Sequence, residues 1–314
     1  MKPEVVFVVP GSGQLWSSTF LRGVQLCEIS RARLGNRYSF RLERMPVRRP
    51  LKITRIAQRL WANTRMPGSI YFITKQCVEC LDPVAAEILQ HRARAVLFDY
   101  VDTDMATVSM RGADVHLCAS FAQYEYLAQR KGINLEGSVE FLLHGFDTRF
   151  EVASPHGGEK LTAVYIGASE NVFIPKQLLS KVVMLEASTP QEMTAVFSQT
   201  GKYNFHYCVR PPTFSENRIV FKPFTKGFTA AVCGANVIVN REVHDAEALL
   251  DIDYPYFVDA LDSAEIIEVF GSAEAGVGSP EWQRARKTMN ELIEKSSPDA
   301  VADSFDRILI PLTH

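Results

Sequence analysis

What most constrains this chain is the alternation of two patterns. Short apolar, β-branched runs recur from its first residues: "VVFVVP", "YSFRLERM", "SIYFIT", "RAVLFDY", "DVHLCAS" and "VEFLLH". Between them lie stretches with helical spacing. In "SSTFLRGVQLCEIS" a serine N-cap precedes Phe20, Leu21, Val24 and Leu26 at helical intervals, and "LKITRIAQRLWANT", "DPVAAEILQHR" and "SFAQYEYLAQRKG" come after it. Gly132 suits the C′ position of the last. Such βαβα order implies a parallel sheet covered by helices on both faces.

The alternation is interrupted once. "EVASPHGGEK", residues 151–160, holds two glycines, a proline and mixed charges, and reads as a domain boundary. Strand candidates then resume with "LTAVYIGAS", "KVVMLEA", "NFHYCVR", "ANVIVN" and "PYFVD", with "TPQEMTAVFSQTGK" as a capped helix. Two segments near the end, "SPEWQRARKTMNELIEKS" and "SPDAVADSFDRILIPL", begin with an N-cap serine and a proline at the first helical position. The expectation is α/β, two Rossmann-like domains at 1–150 and 151–314, the second including the C-terminal helices. A chain of 314 residues suits two domains of about 150 each. Ligands of such domains sit at strand carboxyl ends, so the expected site is the cleft between them.

Composition narrows the function. Net charge is −2, which argues against nucleic acid as a partner. No apolar run approaches about 18 residues, and the N-terminus lacks the pattern of a secretory leader, so a cytoplasmic protein is expected. Of six cysteines, only Cys77 and Cys80 form a CxxC; reduced structural thiols are the expectation there.

The most specific stretch is "VFKPFTKGFTAAVCGANVIVN", Val220 to Asn240. Pro223 or Thr225 opens a helix whose apolar face is Phe224, Phe228, Ala231 and Val232, and Gly234 closes it before a strand. Lys222 and Lys226 stand at the helix start, where the dipole is already positive and a carboxylate would help. That arrangement makes sense if an anion such as a diphosphate binds there. Arg210 ends "NFHYCVR" before Pro211 and Pro212, and its guanidinium suits a phosphate or base edge.

This stretch resembles the K-P-x-T-K segment of GT-B glycosyltransferases, and the resemblance is strengthened by order along the chain. "LLHGFDTRF", Leu142 to Phe150, is similar to the turn that leaves their N-terminal domain, and "LTAVYIGAS" to the glycine-ended first strand of their C-terminal domain. The resemblance implies a retaining-type hexosyltransferase with an acceptor-binding N-domain and a donor-binding C-domain. Lys222, Thr225, Lys226, Arg210 and Gly167 would hold a nucleotide-diphosphate sugar, with no obligatory metal or cofactor. Two departures exist. The Arg and Lys that follow the glycine in the retaining enzymes are replaced by Ala168, Ser169, Glu170 and Asn171. The pair of glutamates eight apart is missing, its positions being Glu216 and Phe224. A degenerate, non-catalytic GT-B binding protein is therefore an alternative reading.

Three other features complete the expected site. Gly11, Ser12 and Gly13 form a turn after the first strand, and the resemblance puts it beside acceptor and phosphate; Trp16 breaks a full GxGxxG. Asp99 and Asp102 end a strand and are candidate bases for an acceptor hydroxyl. Asp102-Thr103-Asp104 also matches the DxD of metal-dependent GT-A transferases, a second alternative. Finally, Arg37 to Arg65 holds nine basic residues and one acid, Glu43. There Ile53, Ile56, Ala57, Leu60 and Trp61 form one helix face, with Arg48, Arg49, Lys52, Arg55 and Arg59 outside it. Residues 48–65 are thus a candidate contact with the anionic inner face of a membrane, presenting a lipid-linked or glycan acceptor in polysaccharide synthesis.

Overall fold

The structure is a computed structural model that describes residues 2–12, 15–47, 51–130, 135–150, 160–211, 218–259 and 262–313, the side chains at 51 and 52 excepted. Gly13, Arg48, Arg49, Gly132, Pro212, Glu216 and most of the 151–160 break lie outside the described residues, as does the Lys52 side chain. The chain divides into two compact units. One comprises Met1–His144, Ser215–Pro223 and Pro298–His314; the other comprises Gly145–Phe214 and Phe224–Ser297.

The first unit keeps to the expected alternation. Its elements are β1 (Glu4–Pro10), α1 (Ser17–Thr19), a π-helical turn at Phe20–Gln25, α2 (Leu26–Leu34), β2 (Ser39–Met45), α3 (Leu51–Asn63) and β3 (Ile70–Ile73). Next come α4 (Lys75–Cys80), α5 (Pro83–Arg92), β4 (Ala95–Asp99), β5 (Val115–Cys118), α6 (Phe121–Ala128) and β6 (Ser138–Phe141). The strands form one sheet in the order β2-β1-β3-β4-β5-β6, every pair parallel. β1, β3, β4 and β5 are almost wholly buried, as continuous apolar strands between two helical layers should be.

One of those layers is completed from the chain's far end. The helix Pro298–Leu309 lays Val301, Ala302, Phe305, Ile308 and Leu309 on the β1–β3–β4–β5 face, with Phe305 edge-on to Phe7 and Phe72 at 5.7 Å each. A cut at 150 would place this helix in the second unit. Its strong amphipathic pattern identifies a buried face without saying which sheet covers it. Residues 218–221 join the same unit: Asp104 and Val220 form an antiparallel bridge, Met105 N–H donates to Ile219 O at 2.8 Å, and Phe221 packs on Tyr126.

Helix α3 splits the expected apolar face between the core and solvent. Trp61 and Ala62 are buried, but so are Thr54 and Gln58, whereas Ile53, Ile56 and Leu60 face solvent. Gln58 goes inside because all its polar atoms are used. Its amide donates to Pro46 O at 2.8 Å and Cys80 O at 3.1 Å, and its carbonyl accepts from Asp82 N–H at 2.9 Å. Trp61 is not an exposed anchor; its indole N–H donates to Glu43 Oε1 at 2.8 Å.

The second unit contains β7 (Ala163–Ile166), β8 (Val182–Leu185), α7 (Pro190–Phe197), β9 (Phe205–Tyr207), α8 (Thr225–Val232), β10 (Asn236–Asn240), α9 (Ala246–Leu250), β11 (Phe257–Val258), α10 (Ser263–Ala275) and α11 (Pro280–Lys295). Its sheet runs β11-β10-β9-β7-β8, again parallel throughout. α7 begins with a complete capping box, Thr189 with Glu192. Gly234, at φ +72°, ends α8 in the left-handed region, as its position before the strand predicts.

The π turn has a consequence inside the first unit. It carries Arg22 inward, 2% exposed, onto Asp99 at the end of β4, 0% exposed. Arg22 Nη2 lies 2.8 Å from Asp99 Oδ1 and Nε 3.1 Å from Oδ2, while Nη1 donates to the carbonyls of Leu142 and Leu143 at 2.9 and 3.2 Å. Breaking a buried pair from one side leaves an uncompensated charge. Arg22→Met is expected to cost about 3–5 kcal/mol in a urea titration, and Arg22→Met/Asp99→Leu to cost less than the single change. An unchanged midpoint for Arg22→Met would show that the pair carries no weight.

Candidate functional site

In an open parallel sheet, ligands bind beyond the strand carboxyl ends where the strand order reverses. In the first unit that point lies between β1 and β3; in the second, between β7 and β9. Both places hold chemistry-bearing side chains.

In the first unit a pocket of about 330 Å³ opens there. Ser12, Trp16 and Ser18 line it from the segment after β1, and Lys75, Gln76 and Glu79 from α4 after β3. Gly11 follows β1, its N–H donating to Met45 O at 2.7 Å. Ser17 and Asp102 hold left-handed backbones, each at φ +51°, a conformation that non-glycine residues seldom adopt outside functional or turn positions. Asp102 Oδ2 meets Lys75 Nζ at 3.3 Å. Desolvation pushes the Glu79 carboxyl above its ordinary value, against the pull of Lys75 and a hydrogen bond from Thr103.

The two candidate bases therefore differ in kind. Asp99 is closed to solvent and gripped by Arg22; burial pushes its carboxyl up, with the Arg22 charge opposing. It serves as the anchor of the π turn and has no open path to a hydroxyl. Asp102 stays 24% exposed. Asp104 is committed elsewhere: the Ile219 and Ala106 N–H groups donate to its Oδ1 at 3.0 and 3.1 Å, holding its carboxyl below the usual range. The carboxylates of Asp102 and Asp104 thus answer to different partners, and Thr103 between them is buried. Among the described residues no group of three His, Cys, Asp or Glu is arranged to hold a metal ion. Cys77 is buried, which pushes its thiol up.

In the second unit Gly167, Arg210 and Lys226 stand near the β7–β9 switch point. Lys226, in the first turn of α8, donates through Nζ to the carbonyl of Ile166, the last residue of β7, and stands 4.0 Å from the centroid of the Tyr165 ring. Gly167 comes next at φ +141°, and a Cβ there would lie 2.6 Å from Lys226 Nζ. The glycine thus makes room for the ammonium. Arg210 stands just beyond β9, its peptide clamped by Asn240 at the end of β10: Arg210 N–H donates to Asn240 Oδ1 at 3.0 Å, and Asn240 Nδ2 to Arg210 O at 3.2 Å. Arg210 Nε is buried and has no hydrogen-bond partner among the described residues. Thr225 opens α8; Lys222 belongs to the segment that clusters with the first unit.

Sequence reasoning missed three residues. Lys75 and Glu79 lie four apart on α4, a spacing that puts them on one helix face, but that helix was hidden behind its CxxC. His206 lies within β9. It is 3% exposed, and its Nε2 has no partner among the described residues.

No family model matches the chain. No curated protein matches it. Solved structures do. A glycosyltransferase from Rickettsia africae ESF-5 superposes with a TM-score of 0.66 at 9% identity, over 99% of this chain and 98% of that one. HepE of Anabaena, solved with UDP and glucose, gives 0.63 at 12% identity over 98% and 99%. Against a chain of the GtfA/B complex the values are 0.56 and 10% over 83% of this chain, which spans 61% of that longer one. At these identities the likeness is one of fold. The chain has the GT-B fold, two parallel-sheet α/β domains.

His206 gives the second unit a pH response. Burial, with the Lys226 ammonium nearby, pushes its imidazole down from 6.5 to about 3. The unfolded chain then binds the extra proton between those two values, so its contribution to stability is complete above pH 6.5 and is lost as pH falls toward 3. The slope is at most ~1.4 kcal/mol per pH unit. Urea midpoints measured from neutral to acid pH should fall more steeply for wild type than for His206→Leu; parallel curves would assign the response to another group.

Proposed function

We propose that the chain is a glycosyltransferase that moves a sugar from a nucleotide-diphosphate donor to an acceptor hydroxyl on a glycolipid, polysaccharide or other glycan. The observation that carries this reading is the cationic cluster at the β7–β9 switch point of a GT-B fold. Lys226 is drawn over Gly167 by the Ile166 carbonyl, and Arg210 stands beyond β9 with its buried Nε unpartnered among the described residues. Such preorganised charge is what a leaving diphosphate requires. Lys222 and Thr225 join it on the strength of the K-P-x-T-K resemblance, and HepE, of like fold, was solved with UDP and glucose. The second unit is then the donor domain.

On this reading the first unit binds the acceptor in the pocket of Ser12, Trp16, Lys75 and Glu79. Trp16, 36% exposed, offers a face for a sugar ring. Asp102, partly exposed, is the candidate base, and Glu79, with its raised carboxyl pKa, is a second group able to take or give a proton. The hydroxyl proton passes to the carboxylate as oxygen attacks the anomeric carbon and the bond to the diphosphate breaks. The familiar Arg and Lys after the glycine are absent, so Arg210 and Lys226 carry the leaving-group charge.

Titration calorimetry with UDP tests the donor site. Lys226→Ala and Arg210→Ala are each expected to weaken binding by about 1.5–3 kcal/mol, roughly ten- to a hundredfold, as removal of a charge-assisted hydrogen bond does. Affinity unchanged in both and in the double variant would remove the site.

A second measurement addresses the DxD alternative. Transfer activity is expected to persist in EDTA, because guanidinium and ammonium groups meet the leaving group. Complete loss on chelation, with recovery on adding Mn²⁺, would reassign donor binding to a metal held by Asp102 and Asp104.

A further inference from the structure

Helix α3 exposes three large aliphatic side chains on one stripe. Ile53, Ile56 and Leu60 are 65%, 61% and 63% exposed. At spacings of three and four they line one side of the helix over about 10 Å. The other side is occupied, since Thr54, Gln58, Trp61 and Ala62 are buried in the unit. The stripe is therefore not core waiting for a small shift; turning it inward would break the three hydrogen bonds of Gln58.

The charges carried by α3 itself have one sign. α3 contains Lys52, Arg55 and Arg59 and no acid, and Arg48 and Arg49 precede it in the chain. Arg55 and Arg59 share a single carboxylate, Asp82, at 3.9 and 2.7 Å, yet their side chains remain 61% and 45% exposed. One acid offsets two guanidiniums. A second copy docked on the same face by a two-fold axis would set these arginines against themselves. A surface that is apolar beneath and anionic at its rim complements both features at once.

We propose that α3 docks this chain on an anionic lipid bilayer. Ile53, Ile56 and Leu60 enter the boundary between headgroups and acyl chains, and Arg55 and Arg59 meet lipid phosphates beside them. Attachment is interfacial: among the described residues no helix is long and apolar enough to cross a membrane. The proposal stands apart from the transfer reaction and holds whichever sugar the protein uses.

Flotation with vesicles decides it. The full chain is mixed with vesicles of phosphatidylcholine containing phosphatidylglycerol, or of phosphatidylcholine alone, at low and high salt. Wild type floats with the anionic vesicles, less so at high salt where the Debye length shortens. Ile53→Ser/Ile56→Ser/Leu60→Ser lowers the bound fraction at least roughly tenfold at either salt, since three aliphatic groups no longer leave water. Arg55→Gln weakens flotation mainly at low salt; Arg59 stays unchanged because it also holds Asp82. Circular dichroism confirms folding of the triple variant, and Ile56→Asp replaces it if needed. Failure of wild type to float at low salt overturns the proposal. So does equal flotation of the triple variant, or equal binding to phosphatidylcholine alone. A wild-type dimer in sedimentation that the triple variant abolishes, without flotation, would make the stripe a contact between copies instead.

Discussion

Everything placed at the two sites depends on strands running parallel. Each strand must be left at its carboxyl end and regained by a crossover, so every loop that leaves a strand gathers on one edge of its sheet. Where the order reverses, successive crossovers depart to opposite faces and leave a gap between them. In the first unit that gap is flanked by β1 and β3, and the segments leaving them supply Ser12, Trp16, Lys75 and Glu79. In the second it is flanked by β7 and β9, whose ends supply Gly167 and Arg210, with Lys226 bonded to the last carbonyl of β7. Topology alone thus chooses which residues of a long chain can act together.

The two gaps are charged differently. Around the first, carboxylates and cations are matched in detail. Arg22 neutralises Asp99 inside, Lys75 faces Asp102 at the rim, and Asp104 is tied to the backbone of Ile219. The Arg22 link reaches further than a single pair, since the same guanidinium also satisfies the carbonyls of Leu142 and Leu143 beyond β6. It is the π turn that makes this reach possible, because the wider helix shifts the phase of its side chains and turns Arg22 inward.

Much of the fold could be read from the chain, and the failures have identifiable causes. The strands were visible because buried parallel strands are nearly continuous apolar runs, as in Val5 to Val9 and Ile70 to Ile73. α4 was missed because six residues are too few to show a period. α3 was legible as a helix, but its apolar face is split between core and solvent: periodicity reveals that two faces differ, not which one is buried, and Gln58 joins the core through partners distant in sequence. The final helix misled in the same manner, its apolar face being plain and its sheet unknowable. Of the candidate site, Lys226 stood out because a cation at a helix start breaks a local expectation, whereas Gly167 was named from the resemblance and Arg210 from its place at the end of a strand. Asp99 could not be told from Asp102, since the difference lies in Arg22, far away along the chain. Asn240, which fixes the Arg210 peptide, reads in sequence only as the polar end of a strand.

On the proposed reading, the second gap derives its strength from charge that is already desolvated. Lys226 is partly buried and bonded to a carbonyl and an aromatic face, contacts that orient the ammonium. His206 beside it is kept neutral by burial, so it adds no competing cation. Asn240 fixes the Arg210 backbone, which limits where the guanidinium can swing. Water would otherwise have to reorganise around a diphosphate as its charge grows on leaving; here the dipoles and cations are placed by folding, and the cost of holding them is met by the rest of the unit. Position 167 is a glycine first because its φ of +141° strains any side chain, and the ammonium adds to that constraint. A side chain there would displace the ammonium from its place above β7, and a preset charge would become a mobile one.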